Sequence, residues 1–488
     1  MINFCITNSN NLVKYSFHNQ LSLTKDVTLY YDNMVEVVDL PNHVVIFCGI
    51  LWQGDVSDFV ETPNQNGQFY AVVFNKKTRT IKVITDFLED FPVYYYIKDN
   101  NFVVTNKILA FSNQLKLNLS WIVGAKNNEY TDRLIPAHND LELKKELYSK
   151  NVTPIRDVKR VGPGGILEFN VDDVCENVYT WYNASTDYVS LIHQEPQYNL
   201  QSATSYVDTI LTENFNRLRK KYKSLAVFSS CGIDSLTVLK YLSDVPKYGY
   251  YGEDYRTESP ELLKQLYNDT GGLLHYFDAA EYQTAYTETL PGWAMPSRNA
   301  DLAPEMYIRN KYNLHDTVIV KGTFGDEIFW HEPWSAMSVA VHQWNCQTRE
   351  QGLAALEHHY SHQPYHTPQG MIDTILKSKT LDLSIMNYHY NRQHSYLKDD
   401  RILLNQMVVS PFIDLRLRRL LPVCDLETKL ASILDVQIQK NIVGSSLLKY
   451  LNKYKAGGEE SFSSINYDNH RLNQLNEFIR FRNHTYAA

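Results

Sequence analysis

The chain has 488 residues, enough for two hydrophobic cores, because a single core rarely grows beyond about 250–300 residues. Hydrophobic residues make up 44% and charged residues 21%, which excludes a wholly disordered chain. The formal charge of −8 argues against a nucleic-acid binder, and no run of about 18 apolar residues predicts a membrane span. From the N-terminus to about residue 110 the pattern is that of short strands. Val44–Phe47 is apolar, Phe69–Phe74 follows an Asn66-Gly67 turn, Ile81–Ile84 alternates, and Val93–Ile97 and Phe102–Val104 flank Asp99-Asn100-Asn101. Runs at hairpin spacing predict antiparallel sheets. A turn cluster at Val161–Gly165 precedes Ile166–Phe169, and the polar stretch from Asn183 to Tyr198 marks a domain boundary.

Beyond about Ser202 the period changes. Val207, Ile210, Leu211, Phe215 and Leu218 recur at helical spacing. Leu225–Phe228, Lys247–Tyr251 and Thr317–Lys321 read as strands, with helical stretches at Leu236–Leu242 and Glu261–Tyr267 between the first two and after the second. Strands alternating with helices predict a parallel sheet.

Two loops carry the chemistry. Ser230-Cys231-Gly232-Ile233-Asp234-Ser235 follows the first of these strands and opens a helix. Hydroxyls, a glycine and a helix N-terminus suit phosphate. Asp234 would repel phosphate unless a cation lay between them, which predicts Mg²⁺. Gly322-Thr323-Phe324-Gly325-Asp326-Glu327 follows the third strand and would bring Asp326 toward the same crevice. Each loop taken singly also fits an ordinary helix start, since Asp and Ser are good caps. Six scattered cysteines, Cys5, Cys48, Cys175, Cys231, Cys346 and Cys424, form no CxxC pair. Free thiols, no zinc and a cytoplasmic location are expected, as the residues from Met1 to Phe4 do not begin a signal peptide.

With these residues the sequence resembles the asparagine synthetase family over nearly its whole length. The first loop is similar to the family's Ser-Gly-Gly-x-Asp-Ser, with Cys231 in place of a glycine. The second is similar to Gly-x-Gly-Ser-Asp-Glu at its ends, with Thr323 near the reacting centre. Ser410-Pro411-Phe412-Ile413-Asp414 resembles Arg-x-Pro-Phe-Leu-Asp, and the spacing from Asp414 selects Lys455 as the family's C-terminal lysine, with Lys449 and Lys453 as rivals. Thr85–Tyr95 and Asn66–Phe69 resemble segments of the family's amidotransferase domain.

The resemblance implies an α+β and α/β two-domain protein. Residues 1–190 would be an antiparallel β-sandwich of amidotransferase, Ntn-hydrolase-like type, and residues 200–488 a parallel-sheet ATP-pyrophosphatase domain of the adenine nucleotide α-hydrolase-like kind. Ile2 stands where glutamine-using members place their cysteine nucleophile, and Cys48-Gly49-Ile50 replaces a glutamine-holding Asn-Gly-Glu, which implies no glutaminase. The implied activity is an ATP-dependent carboxylate–amine ligase. Ser230, Gly232, Asp234, Ser235 and Gly322 would bind ATP and its pyrophosphate, Asp234 and Asp326 would hold Mg²⁺, and Lys455 and Thr323 would serve catalysis. The implied partners are a small-molecule or peptide carboxylate and an amine, either separate or within one molecule as in β-lactam synthetase and lasso-peptide cyclases; a homodimer is compatible with this. The alternative is a nucleotide-binding scaffold that retains the fold. A tRNA-thiolating enzyme is disfavoured by the lack of paired cysteines and of basic charge.

Overall fold

The computed structural model describes residues 2–13, 17–107, 110–111, 115, 157–182, 187, 190–191, 194–252, 260–281, 302–323, 325, 407–420, 423–424 and 434–451. The chain divides into two compact units, one of residues 1–183, 285–316 and 393–407, the other of residues 184–284, 317–392 and 408–488. The fold is mixed α/β, with two antiparallel sheets and one parallel sheet.

Among the described residues of the first unit, twelve strands make two six-stranded sheets. One runs β10-β8-β9-β1-β3-β2, with β1 (Phe4–Thr7), β2 (Asn19–Ser22), β3 (Thr28–Tyr31), β8 (Tyr94–Lys98), β9 (Asn101–Thr105) and β10 (Val158–Arg160). The other runs β12-β11-β7-β6-β5-β4, with β4 (Glu36–Asp39), β5 (His43–Leu51), β6 (Gly67–Asn75), β7 (Thr80–Thr85), β11 (Gly165–Asn170) and β12 (Asn177–Thr180). Aromatic side chains join the sheets face to face: Phe4 lies 4.6 Å from Tyr70 and Phe102 4.9 Å from Phe169, between ring centroids. On the opposite face of the second sheet Phe47, Phe69, Ala71 and Ile84, all fully buried, pack with Phe59 from the short helical turn Val56–Val60. Burying each such Ile or Phe contributes about 1.5–3 kcal/mol.

The strand expected at Val93–Ile97 begins one residue later, and that expected at Val44–Phe47 extends through Leu51. The added residues include Cys48 and Ile50, both buried. Ile2 is also buried, and its carbonyl accepts hydrogen bonds from the Tyr70 hydroxyl at 2.7 Å and Asn106 Nδ2 at 3.1 Å. Cys5 packs inside its sheet against Tyr94, Val103, Phe111 and Val158, and burial pushes its thiol pKa well up.

The segment after β7 folds around charge. Asp86 accepts from the backbone N–H groups of Phe69, Leu88 and Asp90, while Asp90 accepts from Gln68 Nε2 at 2.5 Å. Both carboxyls are fully buried. Burial, and then the nearby Asp90 carboxylate, raise Asp86 to about 8. Beside them Arg160 meets Glu89 in a buried pair at 2.9 Å, and Glu89 also accepts from the Gly162 N–H at 3.2 Å.

The second unit opens with α1 (Leu200–Lys221), capped by Asn199, whose side chain accepts from the Ser202 N–H. The five apolar positions predicted from helical spacing, Val207 to Leu218, are all buried. A five-stranded parallel sheet follows in the order β15-β14-β13-β16-β17, with β13 (Leu225–Phe228), β14 (Lys247–Gly252), β15 (Leu273–Phe277), β16 (Val318–Val320) and β17 (Val408–Val409). From β13 the chain passes through α2 (Ile233–Tyr241) to β14 and through α3 (Pro260–Thr270) to β15, all on one side of β13. It then returns to pair β16 on the other side of β13, matching Leu225 with Val318 and Val227 with Val320. The first unit's α4 (Leu302–Lys311) lies between β15 and β16 in the chain. After β17 come α5 (Leu415–Arg418), α6 (Leu434–Val443), which packs on α1 and α2, and α7 (Ser445–Leu448).

Candidate functional site

In an open parallel sheet, ligands bind beyond the carboxyl ends of the strands, where the connections diverge to opposite sides. Here that point lies between β13 and β16, the two strands from which the predicted loops emerge. The buried apolar run Leu225–Phe228 holds the first loop against the sheet. Ser229 is anchored at both ends: its N–H donates to the Tyr248 carbonyl at 3.1 Å, and its carbonyl accepts the Tyr267 hydroxyl at 3.0 Å.

Beyond that anchor the loop turns outward. Ser230 is exposed, and its hydroxyl oxygen lies 3.1 Å from that of Ser235 and accepts from the Gly232 N–H at 3.2 Å. Gly232 is the N-cap of α2, so no side chain caps this helix. The first-turn N–H groups and their partial positive charge thus face the region in front of the two serines. Among the described residues, a methyl placed on Gly232 would come within 4 Å of the Ser230 hydroxyl alone, at 3.4 Å. The chain itself does not require a glycine there. The space it leaves is a cradle of N–H and hydroxyl donors open to an anion.

The second loop closes on the first. A methyl on Gly322 would sit 2.5 Å from the carbonyl carbon of Asp234 and 2.7 Å from the Ser235 nitrogen. A methyl on Gly325 would lie 2.1 Å from Asp234 Oδ1 and 2.3 Å from its Cγ. Only glycine permits backbone to approach backbone and carboxylate so closely. Two neighbours brace the arrangement. The Ser410 hydroxyl, at the end of β17, donates to the Thr323 carbonyl, and the Lys321 N–H donates to the Val409 carbonyl at 3.0 Å.

The structure thus brings Ser230, Gly232, Asp234, Ser235, Gly322 and Thr323 together beyond the carboxyl ends of β13 and β16. Asp326 and Lys455 lie outside the described residues. Asp414, read from the sequence as part of a family segment, is fully buried and works as a clamp. Its carboxylate accepts from Asn214 on α1 at 3.0 Å and from Arg416 at 2.8 Å, and it caps α5. His275, on β15, pairs with Glu281 at 3.1 Å.

One site residue is absent from the sequence reading. Gln439, on α6, is fully buried and donates from Nε2 to Asp234 Oδ1 at 2.5 Å. Its only sequence signal is a polar residue beside Ile438 on the apolar stripe of a helix.

The donor set fits a nucleotide's phosphates, with the Asp234 carboxylate placed to take a cation. No cluster of three or more metal-ligating side chains occurs among the described residues, and no helix among them is long and apolar enough to cross a membrane.

No family model and no curated protein matches the sequence. The chain is similar to the solved structure of NMN synthetase from Francisella tularensis at 12% identity, covering 41% of this chain and 95% of that one, with a TM-score of 0.22. It is also similar to the glutamine phosphoribosylpyrophosphate amidotransferase from B. subtilis complexed with ADP and GMP, at 9% identity over 67% of this chain and 71% of that one, with a TM-score of 0.20.

Proposed function

We propose that the protein is an ATP-dependent carboxylate–amine ligase that adenylates a carboxylate and then forms an amide. One observation carries this reading: two glycine-bearing loops from adjacent parallel strands meet around the Asp234 carboxylate, beside an uncapped helix N-terminus and two hydroxyls. Ser230, Ser235 and the N–H groups at the start of α2 would hold the pyrophosphate moiety, and Gly232 would admit it. Asp234 would hold Mg²⁺, together with Asp326 by the sequence resemblance. The cation would neutralise phosphate charge as it develops.

The donors act on charge. When a substrate carboxylate oxygen bonds to the α-phosphorus, the bond to the bridging oxygen breaks and pyrophosphate leaves with that electron pair. Fixed N–H and hydroxyl donors stabilise it without reorganising. An amine then attacks the acyl carbon and AMP departs. Thr323 and Lys455 are the proposed catalytic residues by resemblance. Residues 1–190 are proposed as an amidotransferase-like domain that has lost the cysteine chemistry, so the amine comes from a substrate and not from glutamine. Attack by an amine of the same molecule would close a ring, which proximity favours.

The test is pyrophosphate release from Mg·ATP with a panel of amino acids, dicarboxylates and peptides, run beside Asp234→Ala. Release that depends on a carboxylate and is abolished in the variant is expected. Failure of the chain to bind Mg·ATP at all would sink the proposal.

A further inference from the structure

Gln439 is a fully buried amide on a helix whose neighbouring inward side chains, Ile438, Ile442 and Val443, are apolar. Removing an amide from water costs free energy unless both its ends are satisfied. Here both are. Nε2 reaches Asp234 Oδ1 at 2.5 Å, and Oε1 lies 2.8 Å from the Thr237 hydroxyl, itself 2.9 Å from the Ile233 carbonyl. An ionised carboxylate can only accept, so the NH₂ end must face Asp234. Thr237 stands one turn along α2 from the loop, and its hydroxyl holds the amide in that orientation.

The Asp234 carboxylate is therefore held from two sides, by Gly325 backbone packed against it and by an amide donor from α6, a helix 205 residues further along the chain. A carboxylate that merely capped a helix would need neither. We infer that Gln439 is a positioning residue for the cation site: its hydrogen bond fixes the rotation of the Asp234 carboxylate and so sets the affinity for the Mg²⁺ that accompanies the nucleotide. This rests on the proposed reading of Asp234 as a metal ligand. Hydrogen bonds behind a metal-binding side chain typically change metal affinity or activity by 10–100-fold.

The experiment uses the full chain and titrates Mg²⁺ at fixed ATP by calorimetry, alongside thermal melts. Gln439→Leu keeps the side chain's size, removes the donor and leaves the Thr237 hydroxyl its Ile233 partner. The expected result is a Mg²⁺ midpoint raised about 10- to 100-fold, with ATP binding recovered at saturating Mg²⁺. Thr237→Val, which frees the amide to turn, should move the midpoint in the same direction and is the second arm should Gln439→Leu fold poorly. A midpoint within twofold of wild type in both variants, while Asp234→Ala abolishes the Mg²⁺ dependence, overturns the inference and leaves the ligase reading standing. No Mg²⁺-dependent binding in the wild type overturns both.

Discussion

Gly232→Ala separates what the fold needs from what a ligand needs. The residue has φ −76° and ψ 151°, an ordinary extended conformation open to alanine. Among the described residues the added methyl would meet only the Ser230 hydroxyl, at 3.4 Å, which is normal contact. Two small effects on stability then oppose each other. Replacing glycine at a compatible position stabilises by about 0.4–1 kcal/mol through the unfolded chain. Alanine is a poorer N-cap than glycine by a similar amount, on the order of 0.5–1 kcal/mol. They nearly cancel, so the melting temperature should stay within about 4 °C of wild type. Binding has no such cancellation. If pyrophosphate rests on the Gly232 backbone, the methyl occupies its contact surface, and overpacking of that kind costs about 1–3 kcal/mol. Calorimetry with Mg·ATP should therefore show affinity lowered by roughly 5- to 150-fold in a protein that melts normally. A variant that binds Mg·ATP within twofold of wild type would refute the placement of the phosphates over this residue.

Two further outcomes follow from the same geometry. Gly325→Ala forces a methyl to 2.1 Å from Asp234 Oδ1, against a carboxylate already held by Gln439, so it should abolish carboxylate-dependent pyrophosphate release and lower stability by about 1–3 kcal/mol in denaturant titration. In the first unit, the folded pKa of Asp86 is raised from 3.8 to about 8, so between those values the folded chain keeps a proton that the unfolded chain has released. The contribution of this group is greatest below about pH 4 and is lost as pH rises through 8, with a slope of up to about 1.4 kcal/mol per pH unit. Asp90→Asn removes the neighbouring charge while leaving an oxygen for Gln68, and should bring the upper end of that pH window down from about 8 in melts across pH.

The parts of this protein governed by local pattern were readable from sequence. Val207 to Leu218 fall on one helical face, and Leu225–Phe228 is a four-residue apolar run that could only be a buried strand between a polar stretch and a serine loop. β15 escaped because Leu273-Leu274-His275-Tyr276-Phe277 sits at a sheet edge, mostly half-buried, and lacks a clean alternation. β17 has only two residues, too short to carry a period. The site was half legible. Loop composition pointed to phosphate, but the pressing of Gly325 on Asp234 and the amide behind it are set by pairing of strands far apart in the chain. Gln439 carries no motif, and its meaning lies wholly in what stands opposite.

The return of the chain to pair β16 beside β13 bears on how the molecule is made. Two features that shape the Asp234 carboxylate arrive late: the second loop after a long excursion past β15, and α6 later still. Long-range pairings of this kind close slowly, because ordering the intervening chain must come first. A nascent chain that has emerged only as far as β15 would have the serine loop but not its lid or its brace. Competence to bind nucleotide would then mark the end of folding, and a ligand added during refolding should draw the last step forward by mass action.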